Sequence, residues 1–318
     1  MVERMEGPRP RRMVAAVAAA TLLAVVAGCD RGTTSTPSST AAARQETTST
    51  GPSPTEATTA TTKAVVRVNA DPRRFDAKDF GQPLGDANPW LPLVPGYQTV
   101  TDGTLFRGHR ELHHRRTTTV TDVVKQVNGV RTVLVLDEDV DAGQVAERSL
   151  DYFAQDEHGN VWYLGSYTES YEGGQFVNAN DAWLAGVNSA TAGVAMMADP
   201  KVGMPSYLQA DIPGRETLTA QVAKVGGSKC VPFRCFPKVL AILEAGTEFK
   251  YYGAGVGAIA TEPNYSGGEQ EKEALVNVVQ LTPQGLGKIS ALALKLDEHA
   301  RSTAREVFGA SAPAKRTS

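Results

Sequence analysis

The sequence predicts an all-β domain: an antiparallel meander forming a curved sheet, half-barrel or sandwich, with an amphipathic helix at its C-terminal end. Three observations predict it. Short runs dominated by Val, Thr, Tyr and Trp follow one another through most of the chain. Turn signals separate them at hairpin spacing: Asp141-Ala-Gly-Gln144, His158-Gly-Asn160 and Glu172-Gly-Gly174. No helices alternate with the runs, as the cover of a parallel sheet would require.

Taken in order, the chain opens with a basic leader, Arg4, Arg9, Arg11 and Arg12, followed by the Ala, Val and Leu run of residues 13–27. That run is shorter than the about 20 residues that cross a hydrocarbon core, and it has the length of a signal-peptide core. Residues 1–28 are therefore read as a signal peptide. Residues 29–63 follow as Cys29 and a Thr-, Ser-, Ala- and Pro-rich stretch, which lacks the apolar surface to offset its ordering entropy. As a flexible coil this tether reaches roughly 30 Å.

Residues 64–96 are a Pro-rich extended lead-in, with Trp90, Leu91, Leu93 and Val94 placed to lie across an apolar face. The antiparallel β domain spans residues 97–287. Its runs are 117–127, 130–140, 145–155, 160–168, 175–177, 207–212, 217–225, 238–244, 248–252 and 274–281, while residues 178–203 show no clear pattern. The helix is read over 288–309, where Ile289, Leu292, Leu296, Ala300 and Val307 share one stripe and Gly309 ends it. Residues 310–318 read as a frayed tail.

Composition limits the function. Without residues 1–28, which hold four Arg and two Glu, 28 basic and 33 acidic residues remain, a net charge of −5. A nucleic-acid binder would carry a basic patch instead. Besides Cys29 there are two cysteines, Cys230 and Cys235, separated by Val-Pro-Phe-Arg. Outside the cytoplasm a disulfide hairpin clip is the default for such a pair, and a zinc ribbon would need a second pair.

Two resemblances sharpen this. Val26-Ala27-Gly28-Cys29 resembles the lipobox of bacterial lipoproteins. That resemblance implies lipidation of the Cys29 thiol, cleavage of the leader before it, and a protein held at the extracytoplasmic face of a cell membrane. The stretches Asn88-Pro-Trp-Leu-Pro-Leu-Val-Pro-Gly96, Asp151-Tyr-Phe-Ala-Gln-Asp-Glu-His-Gly-Asn-Val-Trp-Tyr-Leu-Gly165 and Tyr251-Tyr-Gly-Ala-Gly-Val-Gly257 resemble a group of secreted, mainly actinobacterial envelope proteins of unassigned function. The similarity covers roughly residues 85–282. It implies an all-β envelope domain and supplies no catalytic residues.

Three patterns offer sites. Asp137, Asp139 and Asp141 stand at alternate positions, so in a strand they share one face and in a loop they wrap a hard cation such as calcium. Against an EF-hand, Ala142 occupies the glycine position and Arg148 the final glutamate position; a solvated strand edge is the plainer alternative. His109 and His113 are four apart, as on a zinc-binding helix, yet Arg110 stands where a metalloprotease has its Glu, and a polar hairpin tip accounts for them as well. The aromatics Trp162, Tyr163, Tyr167, Tyr171 and Trp183 are either core or a concave surface for a lipid or glycan. In a regular strand Trp162 and Tyr163 point to opposite faces, which hints at a second buried face or a ligand face.

No complete catalytic set emerges, and the expectation leans away from an enzyme; no cofactor is expected, calcium at the aspartate triplet aside. The leading expectation is a cell-envelope lipoprotein that binds a hydrophobic ligand or a partner protein on its sheet. A metal-assisted hydrolase of an envelope polymer, and a structural or sensory envelope module, are the alternatives. The expected partners are the membrane, through the lipid, and a lipid, glycan or envelope protein, with no nucleic acid.

Overall fold

A computed structural model describes residues 74–81, 88–107, 109–265 and 269–317. Cys29, its leader and the tether lie outside these residues.

Strands dominate, as the β-branched and aromatic runs require. The first six follow as neighbours: β1 (Tyr97–Arg107), β2 (Arg110–Val127), β3 (Val130–Asp141), β4 (Gln144–Gln155), β5 (Val161–Glu172) and β6 (Gln175–Leu184). Next come β7 (Thr191–Met196), β8 (Tyr207–Ile212), β9 (Glu216–Val225) and the short pair β10 (Lys229–Cys230) and β11 (Cys235–Phe236). The set is completed by β12 (Val239–Glu244), β13 (Glu248–Gly253), β14 (Gly257–Pro263) and β15 (Glu269–Gln280). Two-residue turns with positive φ at both positions, Asn128-Gly129 and Ala142-Gly143, join β2 to β3 and β3 to β4. Turns of that hand match the twist of the strands they connect.

Twelve strands pair antiparallel in the order β1-β15-β14-β13-β12-β9-β8-β7-β5-β4-β3-β2, and β2 pairs back onto β1. The sheet thus closes into a barrel, a step beyond the curved sheet or half-barrel among the forms that the sequence predicts. Closure removes the open edges that an exposed sheet would present. Register shifts at Val100/Thr101, Val120/Val124 and Tyr152/Phe153 supply the local bends that closing needs. β6 pairs β5 outside the ring. Cys230 and Cys235 face each other across the β10–β11 hairpin and form the expected disulfide.

The lead-in is not extended throughout. Residues 77–79 form a 3-10 turn capped by the Asp76 side chain, and Phe75 and Phe80 pack on Trp162 from outside the barrel. Asn88 ties down the next segment, because its side chain accepts from Trp90 N and Leu91 N and donates to Gly159 O and Met197 O. Trp90 and Leu93 are thereby buried.

Helix α1 (Pro283–Thr303) begins five residues before the expected start, with Thr282 capping Gly285 N at 3.2 Å and Pro283 in the first turn. It breaks at Ala304 and is followed by α2 (Arg305–Phe308). Its buried face is Ser290, Ala293, Leu296, Asp297 and Ala300, so the stripe expected through Ile289 and Leu292 is rotated. The reason is polar. Ser290 Oγ donates to Asp122 at 2.6 Å, and Lys125 Nζ pairs with Asp297 at 2.8 Å, so the barrel wall selects the helix face through groups that hydropathy ignores.

The residues read as a frayed tail are also ordered. Lys315 and Arg316 form β16 (Lys315–Arg316) against Val124 and Val123 of β2, and Arg316 pairs with Asp122. Among the described residues no helix is long and apolar enough to cross a membrane.

Candidate functional site in the barrel interior

Period-two alternation decides what the interior contains. On β3 the inward positions run Val135, Asp137, Asp139, Asp141, so the lining changes from apolar to acidic toward the turn at Ala142-Gly143. The cross-strand register places Thr118 opposite Asp137, Arg116 opposite Asp139 and His114 opposite Asp141 on the same face. β4 adds Ser149 and Asp151, and β15 adds Glu271 and Glu273.

All of these but His114, Asp139 and Asp141 line a cavity of about 200 Å³. One part of its wall is apolar, with Leu91 and Leu93 of the lead-in, Val120, Val135, Phe153 and Leu218. The other part is charged: five carboxylates, Asp137, Asp151, Glu244, Glu271 and Glu273, face two permanent cations, Arg116 and Lys250. The excess of acid is therefore built into the wall.

Arg116 is the hub of this wall. Its Nε donates to Asp139 Oδ1 at 3.0 Å, Nη1 to Glu273 Oε1 at 3.0 Å and Nη2 to Glu271 Oε2 at 2.9 Å. Thr101 and Thr261 also donate to Glu273, at 2.5 and 3.1 Å. On the far side Lys250 Nζ lies 2.8 Å from Glu244 and 3.2 Å from Glu248. Tyr163 Oη donates to Asp151 Oδ1 at 2.7 Å and its ring stacks on Phe153.

Two cations cannot hold every carboxylate in its charged form. Burial pushes Asp137 up to about 6, with the neighbouring Asp151 adding to the shift and Arg116 opposing it. Burial likewise raises Asp139 to about 6 against the pull of Arg116, and Glu248 to about 7 against that of Lys250. Burial would also raise Glu271, but Arg116, His114 and Lys250 outweigh it and hold Glu271 below its ordinary value. Lys250 and Arg116 lose hydration, which alone would lower them, yet their carboxylate partners hold both well above the ordinary range. Burial is the first cause of the upward shifts, and the two cations offset it only in part.

No family model, curated protein or solved structure matches this chain. Its function is therefore argued from the site itself.

The sequence-predicted residues divide across the wall. Asp137, Asp139 and Asp141 do share one face, but they point into the barrel rather than lining a solvated edge; Asp139 is 2 % exposed. His109 and His113 lie in the β1–β2 hairpin, where His113 faces outward and pairs with Asp102 at 3.0 Å. They do not converge with the aspartates. The neighbouring His114 faces inward instead, and its Nδ1 lies 2.8 Å from Asp141 Oδ1.

The five aromatics do not form one surface. Tyr163 contacts Trp183 on the inner side, whereas Trp162 lies outside under Phe75 and Phe80, its Nε1 bonded to Asp156. Tyr167 faces out toward α2, against Phe308, and Tyr171 bonds to Glu169. The second covered face inferred from Trp162 and Tyr163 exists; residues 74–81 supply its cover. The reading of the sequence passed over Glu244, Lys250, Glu271 and Glu273. A signal was present: Glu269, Glu271 and Glu273 repeat the alternate spacing of the aspartate triplet.

Proposed function

We propose that this protein is a lipid-anchored, extracytoplasmic binding protein of the cell envelope, without catalytic activity of its own. Its barrel takes a small amphipathic cation. The observation that carries this reading is the cavity: an apolar wall meets five carboxylates that only two permanent cations offset. A ligand with an apolar body and an ammonium group matches both halves, since it buries hydrocarbon at one end and supplies missing charge at the other. The volume supports a small ligand. At about 200 Å³ the cavity is below the roughly 300–1,000 Å³ of drug-sized pockets, so a complete acyl lipid is too large. In this proposal Cys29 carries the acyl anchor, and the stretch after it sets the distance from the membrane.

Isothermal titration of the full-length protein in detergent with short n-alkylammonium ions tests the ligand class, with n-alkylcarboxylates of equal length as the control. Binding of the ammonium series alone is expected, weakened at least tenfold by Asp151→Asn. Equal response to both series, or to neither, refutes it. Membrane fractionation of Cys29→Ser tests the anchor separately: the variant is expected in the soluble fraction, and unchanged membrane association would sink that part.

A further inference from the structure

One residue of the interior has a lone pair and nothing to give it to. His114 is 2 % exposed, and its Nε2 has no hydrogen-bond partner. The other ring nitrogen is fixed, because Nδ1 lies 2.8 Å from Asp141 Oδ1 and an ionised carboxylate only accepts. The ring proton therefore belongs on Nδ1. A second proton on Nε2 would find only Glu273 Oε2, 3.8 Å away and beyond hydrogen-bond reach. Nε2 is thus a buried nitrogen without a hydrogen bond, and it offers its lone pair to a metal ion once any proton there is displaced. It does not stand alone: His114, Asp139 and Glu271 each offer one ligand atom, and the three atoms all lie within 4.8 Å of one another.

We propose that His114, Asp139 and Glu271 bind a divalent transition-metal ion, of the Zn²⁺ or Mn²⁺ type, in the acidic half of the barrel. Three points spread no wider than 4.8 Å share a centre no more than about 2.8 Å from each. Side-chain rotations of under an ångström then bring the donors to the about 2.0–2.2 Å of zinc bonds. Asp141 fills the supporting role that such sites use, a carboxylate holding the far nitrogen of the ligating imidazole.

Arg116 is compatible with the ion rather than a substitute for it. It touches both oxygens of Asp139, at 3.0 and 3.4 Å, and one of Glu271 at 2.9 Å, which fixes their orientation; each oxygen keeps a second lone pair, and the imidazole lone pair is something an arginine cannot use. Around this point four carboxyl groups, Asp139, Asp141, Glu271 and Glu273, stand against the one permanent cation Arg116. A dication reduces that imbalance without reversing it. An imidazole ligand also favours zinc or manganese over calcium, which prefers an all-oxygen shell. Glu271 lines the cavity as well, so a remaining coordination position opens toward it.

The test is separable from that of the alkylammonium reading, because it uses a different probe and turns on His114 and Asp141, although Glu271 borders both sites. The test is titration of the full-length, chelator-treated protein with Zn²⁺, Mn²⁺ and Ca²⁺. One tight Zn²⁺ site is expected, with weaker Mn²⁺ binding and no comparable Ca²⁺ site. His114→Gln and Asp141→Asn should each weaken Zn²⁺ at least tenfold. The outward neighbour His113→Gln should leave it unchanged. Should the inward variants not fold, the imidazole signals of the unaltered protein decide: Mn²⁺ must broaden the buried one of the five histidines selectively. No Zn²⁺ binding, binding untouched by His114→Gln, or broadening confined to exposed histidines would overturn the site.

Discussion

Helix α1 is held to the barrel by an ion pair that water does not reach, and removing either half should be costly. Lys125 has no exposed side-chain surface and Asp297 has 3 %. Lys125 Nζ donates to Asp297 Oδ1 at 2.8 Å and to Ala312 O at 2.6 Å; Asp297 also accepts from Tyr152 Oη at 3.2 Å and Ala314 N at 2.9 Å. Taking one partner from a buried pair costs about 3–5 kcal/mol, because the other charge is left uncompensated. Lys125→Met should lie at the lower end of that range, since Asp297 keeps two donors. Asp297→Leu should lie at the upper end, since the ammonium keeps a single carbonyl. The double variant removes both charges and replaces them with hydrocarbon, so it should be more stable than the sum of the singles by about 2–3 kcal/mol. Urea denaturation of the four proteins at one pH measures the cycle. Additive losses would show that the two charges do not depend on each other, and the clamp would have to be abandoned.

Two further outcomes are expected. The raised pKa of Glu248, about 7 against an ordinary 4.5, means that the folded chain keeps a proton there which the unfolded chain releases. Stability should therefore fall as pH rises between those values, by on the order of 1.4 kcal/mol per pH unit from this group. Lys250 on its own strand, Glu244 on β12 and Glu271 on β15 are the charges that face it. Glu248→Gln should remove that slope, and urea midpoints with the same pH dependence as the parent would contradict the assignment. Deleting residues 312–318 withdraws Ala312 O from Lys125 and Ala314 N from Asp297. Each loss should cost on the order of 1–3 kcal/mol, so the thermal midpoint should drop; an unchanged midpoint would mean that the tail contributes nothing.

Most strands were legible because their residues and turns speak locally: β-branched runs, and glycines where positive φ is needed. β1 and β7 were not, and β7 and most of β6 fall in residues 178–203, which showed no clear pattern. Closure was not. It rests on β1 meeting β15, where Thr101 bonds to Glu273 across 172 residues, and no local pattern encodes such a register. The direction of each strand face was equally silent. Outward-facing Leu134, Leu150 and Tyr152 are as buried under the helix as the inward residues, so hydrophobicity marks both faces of that wall alike. The aspartate triplet showed its shared face but not which way that face looked. Adjacent His113 and His114 illustrate the same limit, since period two separates them completely and the helical spacing of His109 and His113 drew attention to the outward one.

The pairing of the first barrel strand with the last also orders events in time. Until residue 280 has been synthesised, Tyr97 has no partner on that side, and the ring cannot shut. Contacts so distant in sequence form late and slowly, because a long loop must be ordered before any of them stabilises the chain. A polypeptide built this way stays open while it is being made. For the export proposed above, in which the chain would thread through a narrow translocation channel before folding, such delay is an advantage.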